Sequence, residues 1–235
     1  SLLPHVNPGT MSEADILLLR PFSASMGMML ETISKRLNKK NGPHYACPDK
    51  VPLQRIRTLE RAGKNKVPFT TGLLIGIGET WNERLEALNL INDIHREYGN
   101  IQEVIIQNFQ PKPDIAMSSH PTLDIEEILK TIAVARIILS PDISLQAPPN
   151  LHPEHLSYLE AGINDWGGIS PLTIDFINPE MEWPEINDLS QRMSFKGYKL
   201  RERLTVYPKY IYEKKNFLSA EIRSQISKMD TRIAC

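Results

Sequence analysis

Cysteine is nearly absent: 235 residues hold two, Cys47 and Cys235. They stand in no metal-ligand spacing, which excludes a self-contained zinc site and a disulfide framework, and they read as unpaired thiols in a reducing compartment. Net charge is nearly absent as well. With 27 basic and 28 acidic residues, nothing favours a nucleic-acid backbone or an anionic membrane as partner, and a small molecule is expected instead. No apolar run approaches the roughly 18 residues of a membrane-crossing helix, and the start lacks the charged-then-apolar pattern of a signal peptide; the cytosol is the expected compartment. The chain opens on Ser-Leu-Leu-Pro without an initiator methionine, which fits processing or a piece of something longer.

What is present is the composition of one soluble domain, 41% hydrophobic and 23% charged, able to bury one core. Apolar segments of strand length alternate with amphipathic segments of helix length, the pattern of a parallel β/α protein. Strands are expected over 22–30, 67–77, 101–109, 143–146 and 161–166. Capping boxes at Ser12-Glu-Ala-Asp15 and Thr80-Trp-Asn-Glu83 announce two helices, the second running through Tyr98 to a stop at Gly99. A third begins at Asp124 and ends before Pro141. A fourth covers 52–62, with Pro52 at its start and Gly63 as its stop. A last amphipathic helix at 219–228 falls outside the repeat. Five β/α units are too few for a complete eight-unit barrel of about 250 residues, so a barrel lacking its first strands is expected: barrel over 1–208, helical tail over 209–235.

The rival architecture, an open doubly wound sheet, usually carries a phosphate loop. Gly76-Ile-Gly78-Glu-Thr-Trp81 supplies the first two glycines of that loop and a tryptophan where the third belongs, so the fingerprint fails.

In parallel β/α folds ligands sit at the C-terminal ends of the strands. Polar residues cluster at each expected strand end: Glu31 and Thr32; Glu79 and Thr80; Gln107 and Asn108; Gln146 and Asn150; Asn164, Asp165 and Trp166. The expected loop His5-Val-Asn7-Pro-Gly adds His5 and Asn7. The set is rich in amides and poor in nucleophiles, which disfavours Ser-His-Asp hydrolases and suits a heterocycle or sugar chain with many hydrogen-bonding groups. For any one of these residues, capping a helix or satisfying a loop is an equal alternative. Asp165 and His5 are the candidates for acid or base work, because their side chains exchange protons near a strand edge.

The strand Thr70-Thr-Gly72-Leu-Leu74-Ile-Gly76-Ile-Gly78-Glu79 is odd, since glycines weaken a strand interior. Close approach of a flat ligand explains them, and so does tight packing against a neighbouring element. Here the chain resembles a known family. Gly72-x-Leu74-x-Gly76-x-x-Glu79 resembles the adenine-contacting motif of radical S-adenosylmethionine (SAM) enzymes, with leucine in the isoleucine place. Arg55, in Arg55-Ile-Arg-Thr-Leu-Glu60, looks like the arginine that meets the SAM carboxylate in that family, and Glu31 matches the acid that meets its ribose or amino group.

Six longer phrases are more specific: Leu3-Pro-His-Val-Asn-Pro-Gly9, Ser23-Ala-Ser-Met-Gly-Met-Met-Leu-Glu-Thr32, Gly42-Pro-His-Tyr45, Gln102-Glu-Val-Ile-Ile-Gln-Asn-Phe109, Gln146-Ala-Pro-Pro-Asn150 and Ala161-Gly-Ile-Asn-Asp-Trp-Gly-Gly168. Together they resemble the CofG-type subunits of 7,8-didemethyl-8-hydroxy-5-deazariboflavin (FO) synthase. The resemblance implies an incomplete radical SAM TIM-type barrel, SAM and a [4Fe-4S] cluster as cofactors, and a companion radical SAM subunit, CofH, that supplies the substrate. It implies a lyase that cyclises a 5-(4-hydroxybenzyl)-ribityliminouracil adduct with loss of ammonia. On this basis Glu31, Arg55, Gly72, Leu74, Gly76 and Glu79 would face SAM, and Asn7, Gln107, Asn108, Gln146, Asn150, Asn164, Asp165 and Trp166 the substrate.

The family's C-x-x-x-C-x-x-C loop is missing, so the chain alone is expected not to generate a radical, and its unpaired strand edges predict poor solubility or partial disorder. Two other readings stand beside this one. A non-catalytic barrel remnant that binds SAM or a deazaflavin shares every feature but the cysteines. An aldolase-like Schiff-base barrel would rest on Lys112, the one lysine near the rim.

Overall fold

A computed structural model describes residues 2–170 and 172–229; Cys235 lies outside them. Five parallel strands form one sheet in chain order: β1 (His5–Val6), β2 (Ser25–Gly27), β3 (Phe69–Ile75), β4 (Ile101–Asn108) and β5 (Ser144–Gln146). The helices are α1 (Glu13–Leu19), α2 (Pro52–Lys64), α3 (Trp81–Tyr98), α4 (Ile125–Ile138), α5 (Tyr158–Ala161), α6 (Ile186–Phe195), α7 (Pro208–Tyr212) and α8 (Ala220–Ile226). Among the described residues no helix is long and apolar enough to cross a membrane.

The helix starts fall where the sequence places them. Ser12 and Thr80 each close a capping box, with Asp15 and Glu83 as reciprocal acids, and α3 stops at Gly99 with φ 67°. Gly63 is different. It was expected to stop α2, yet the helix runs through it to Lys64. A Cβ on Gly63 would lie 2.5 Å from the Tyr98 ring, so the glycine lets α2 and α3 approach.

Three strand expectations need correction. His5 and Val6 lie in an edge strand rather than a loop, in register with Ser25 and Met26. The strand expected over 22–30 shortens to Ser25–Gly27, because residues Arg20–Phe22 turn as a 3-10 helix around Pro21. Its continuation still follows β3, with Met28 N–H donating to Thr70 O and Glu31 N–H to Gly72 O, both near 3 Å. The strand expected over 161–166 reduces to one bridge, Asp165 to Gln146. Ala161 ends α5, and Gly162 at φ 115° breaks the path.

The outer face of the sheet packs on the helices through Phe69, Leu73, Ile75, Val104 and Ile106, against Leu59, Leu88, Ile91 and Ile132, all buried. A second core lies under the N-terminal strand ends, where Leu204, Val206, Tyr210, Phe217 and Ile222 close around Ala24. The Tyr210 hydroxyl donates to Gly99 O (2.9 Å) just before β4, and the Ser219 hydroxyl to Pro21 O (3.2 Å) before β2. The C-terminal segment is therefore a floor, leaving the opposite, C-terminal strand ends to carry the loops.

Candidate functional site

Successive strand residues alternate faces, and the β3–β4 register pairs Thr70 with Glu103, Gly72 with Ile105, and Leu74 with Gln107. These six share the inner face. Leu74, Ile105 and Gln107 are half-buried while their strand neighbours are buried, as expected for positions facing an open chamber.

At the upper end of β3, Gly76 (φ 86°) and Gly78 (φ 98°) adopt conformations reserved for glycine. Glu79 staples this loop: its carboxylate accepts from Gly76 N–H (2.8 Å), Ile77 N–H (2.9 Å) and Arg84 Nε (2.7 Å). The Glu79 side chain is thus consumed in shaping the loop. Gly72 is occupied by packing, since a Cβ there would sit 2.2 Å from Ile105 O and 2.8 Å from Met29 Sδ. Packing, one of the two explanations for the glycines, therefore accounts for Gly72, whereas Gly76 and Gly78 are required by a left-handed backbone that neither explanation names. We expect Gly72→Ala to destabilise the fold by about 3 kcal/mol, as overpacking against a backbone atom does. A urea unfolding midpoint within error of wild type would contradict that contact.

Beside the loop, Glu31 gathers three basic side chains. Lys50 Nζ lies 2.8 Å from Oε1, Arg55 Nη1 3.0 Å from Oε1 and His44 Nε2 2.9 Å from Oε2. Burial alone would raise the Glu31 pKa, but the His44 hydrogen bond, the Arg55 charge and Lys50 outweigh it and pull it down to about 2. Glu31 also holds φ 62°, a left-handed conformation rare for a non-glycine residue; its ion pairs fix it there. His44 and Lys50 were not anticipated from sequence. The Gly42-Pro-His-Tyr45 phrase contained one of them without assigning it a role. The cluster carries excess positive charge from Lys50 and Arg55, and Arg55 Nη2 makes no hydrogen bond to the described residues, its bonds running through Nε and Nη1. These groups fit a ligand carboxylate.

The expected substrate amides divide into two groups. Asn164 Oδ1 accepts from Leu145 N–H (2.8 Å), Asn108 Nδ2 donates to Leu151 O (3.2 Å), and Asn150 Nδ2 donates to Asp175 (3.0 Å) and Met181 O (3.2 Å). All three serve the protein's own loops. Trp166 is a correction of the same kind: it is buried, stacks edge-on to His155, and donates its indole N–H to Met193 Sδ (3.1 Å). Asn7, Gln107 and Gln146 make no side-chain hydrogen bonds among the described residues.

Asp165 is not an open acid. Its oxygens receive Arg203, the Tyr207 hydroxyl (2.7 Å) and Gly167 N–H (2.7 Å). Arg203 Nη2 and the Tyr207 hydroxyl also reach Glu103, at 2.9 and 3.0 Å, so two carboxylates share one guanidinium. Burial, then the Asp165 charge, raises the Glu103 pKa to about 7 against the opposing Arg203 charge. Sequence reading missed Glu103; the signal was an acid set inside the apolar strand Ile101–Asn108. His5 fares better as a base. The Ser25 hydroxyl donates to Thr205 O (2.8 Å), so it accepts from His5 Nδ1 (2.7 Å) and leaves Nε2 unprotonated. Burial of the ring, then the Arg203 charge, lowers its pKa, although much of the residue surface stays exposed.

A [4Fe-4S] cluster finds no ligands here. Among the described residues no three His, Cys, Asp or Glu side chains are grouped to hold a metal, and Cys47 stands alone.

Solved structures with this architecture include methylornithine synthase, at TM-score 0.63 and 19% identity over 84% of this chain and 58% of that one. The FeFe-hydrogenase maturase HydG from Carboxydothermus hydrogenoformans matches at TM-score 0.65 and 16% identity, over 94% of this chain and 56% of that one. The fold is that of the radical SAM TIM-type barrel enzymes. No family model matches the chain, but its curated relatives are specific. It is 49% identical to the FO synthase of Streptomyces coelicolor over 96% of its own length and 26% of that protein. It is 50% identical to the 7,8-didemethyl-8-hydroxy-5-deazariboflavin synthase of Methanopyrus kandleri over 89% of its length and 63% of that protein. The chain is a homologue of the FO synthases, spanning about a quarter of the actinobacterial proteins and under two thirds of the archaeal one.

Proposed function

We propose that this chain forms the SAM- and substrate-holding wall of a CofG-type FO synthase. In that reading the substrate is the 5-(4-hydroxybenzyl)-ribityliminouracil adduct, delivered by a CofH-type subunit and cyclised with loss of ammonia by a radical SAM lyase. Bound SAM would supply the 5'-deoxyadenosyl group that abstracts hydrogen in such chemistry. The chain's own contribution is to hold and orient. Arg55 and Lys50 would take the SAM carboxylate, the Gly76–Gly78 turn would lie against its nucleoside, and Leu74 and Ile105 would give the chamber an apolar wall. His5 Nε2 can accept a proton inside it. The cluster cysteines are not among these 235 residues, and no step is assigned to a cluster here.

The observation that carries this reading is the convergence at one strand end of a cation-clad Glu31, a glycine turn and two unpartnered glutamines. The deazaflavin product has its own fluorescence, so a polarisation titration tests it. FO should bind the chain saturably, and at least tenfold more tightly than riboflavin, whose dimethylbenzene ring lacks the phenolic oxygen. Equal binding of the two, or none of either, would contradict the proposal. If FO binds while the chain reconstituted with iron and sulfide cleaves no SAM, the chain acts as a binding wall, and the cluster must come from elsewhere.

A further inference from the structure

Two amides on the inner face stand apart from the others. Gln146 is 9% exposed and Gln107 half-buried, and neither side chain makes a hydrogen bond among the described residues. Neither amide is sealed off, since neither contributes to the buried, unpartnered polar atoms of the described residues; both keep their donors and acceptors open to the chamber, where a ligand can replace water as partner.

The register shows that they face one space. Gln146 pairs with Ile105, and Gln107 lies two residues further along β4 on the same face. From strand spacing and rise, their Cα atoms are roughly 8 Å apart, within reach of two long side chains meeting on one small ring. The backbone also makes room for Gln146. Gly167 holds φ 73°, and a Cβ there would lie 2.1 Å from Gln146 Nε2; any side chain at 167 would push the amide away.

Resting on the function proposed above, we infer that Gln107 and Gln146 together read the imide edge of the substrate's pyrimidine ring, while Asn108 and Asn164 hold the protein's own loops. A primary amide offers one acceptor and two donors. An imide edge presents an N–H between two carbonyls, and two amides approaching from adjacent strands can match that acceptor–donor–acceptor order. The chemical class recognised is a ring with an unsubstituted imide, which the adduct and the deazaflavin product share.

The test uses FO and its N3-methyl derivative, in which the imide donor is blocked, as fluorescent ligands for the whole chain. Wild type should lose about tenfold in affinity on N3-methylation, the scale of one buried hydrogen bond with its partner left unsatisfied. Gln146→Leu and Gln107→Leu should each weaken FO about tenfold and largely abolish the discrimination. Gly167→Ala should act like Gln146→Leu without touching either glutamine, which keeps the test intact if one leucine variant fails to fold. Asn164→Ala should lower thermal stability and leave the N3-methyl discrimination in place. If wild type binds neither ligand, the functional reading falls and this inference with it. If wild type binds both ligands equally, or the glutamine variants discriminate as wild type does, the inference alone is overturned.

Discussion

Arg203→Met should destabilise the chain by about 3–5 kcal/mol, the cost of stripping the partner from buried charges, read as a fall in the urea midpoint. Arg203 is the guanidinium shared by Glu103 and Asp165, whose side chains are only 6% and 10% exposed. Its loss leaves two neighbouring carboxylates with the Tyr207 hydroxyl between them. Adding Glu103→Gln to the same chain should recover a large part of that loss, and a double-mutant cycle with no coupling would sink the account of the floor. The pH dependence has a definite sign. Glu103 titrates near 7 in the folded chain, above its ordinary value of 4.5. Its contribution is thus fully present below about pH 4.5 and is lost as pH rises through about 7. Wild-type stability should fall between pH 5 and 8 more steeply than that of Glu103→Gln.

Glu31→Gln should act in the opposite window. The folded pKa of about 2 lies below the ordinary 4.5, so Glu31 contributes stability that is present above 4.5 and lost as pH falls towards 2. The difference corresponds to roughly 3 kcal/mol near neutrality. The variant keeps the shape but leaves Lys50 and Arg55 facing each other uncompensated. Its urea midpoint should fall well below wild type at pH 7, and the gap should narrow at pH 3. A gap that stays constant between those pH values would mean the Glu31 ion pairs do not stabilise the fold.

Much of the frame was legible because its signals are local. Ser12, Thr80, Gly99 and Asp124 announce helix ends through hydrogen bonds that span only two to four residues. Features that depend on a distant partner were not legible. Gly63 looks like a stop until Tyr98 is seen against it, and Trp166 looks like a rim aromatic until Met193 takes its N–H. Asn108 and Asn164 read like Gln107 and Gln146 by residue type, and only the loop carbonyl of Leu151 and the amide of Leu145 separate the two groups. The same holds for charge. Glu103 lies a hundred residues from Arg203, and nothing near it in the sequence foretells the pair. By motif, Glu31 and Arg55 are two contacts to one cofactor; the fold joins them directly and adds His44 and Lys50. The short strands were overextended because apolar β-type sequence also suits the turn at Arg20–Phe22 and the end of α5.

Titration calorimetry of the chain with SAM bears most directly on the claim that its open strand ends form a SAM site. One saturable site is predicted, weakened at least tenfold by Lys50→Met and unchanged by Gln146→Leu. Absence of saturable binding, or a Lys50→Met variant that binds SAM as wild type does, would contradict it.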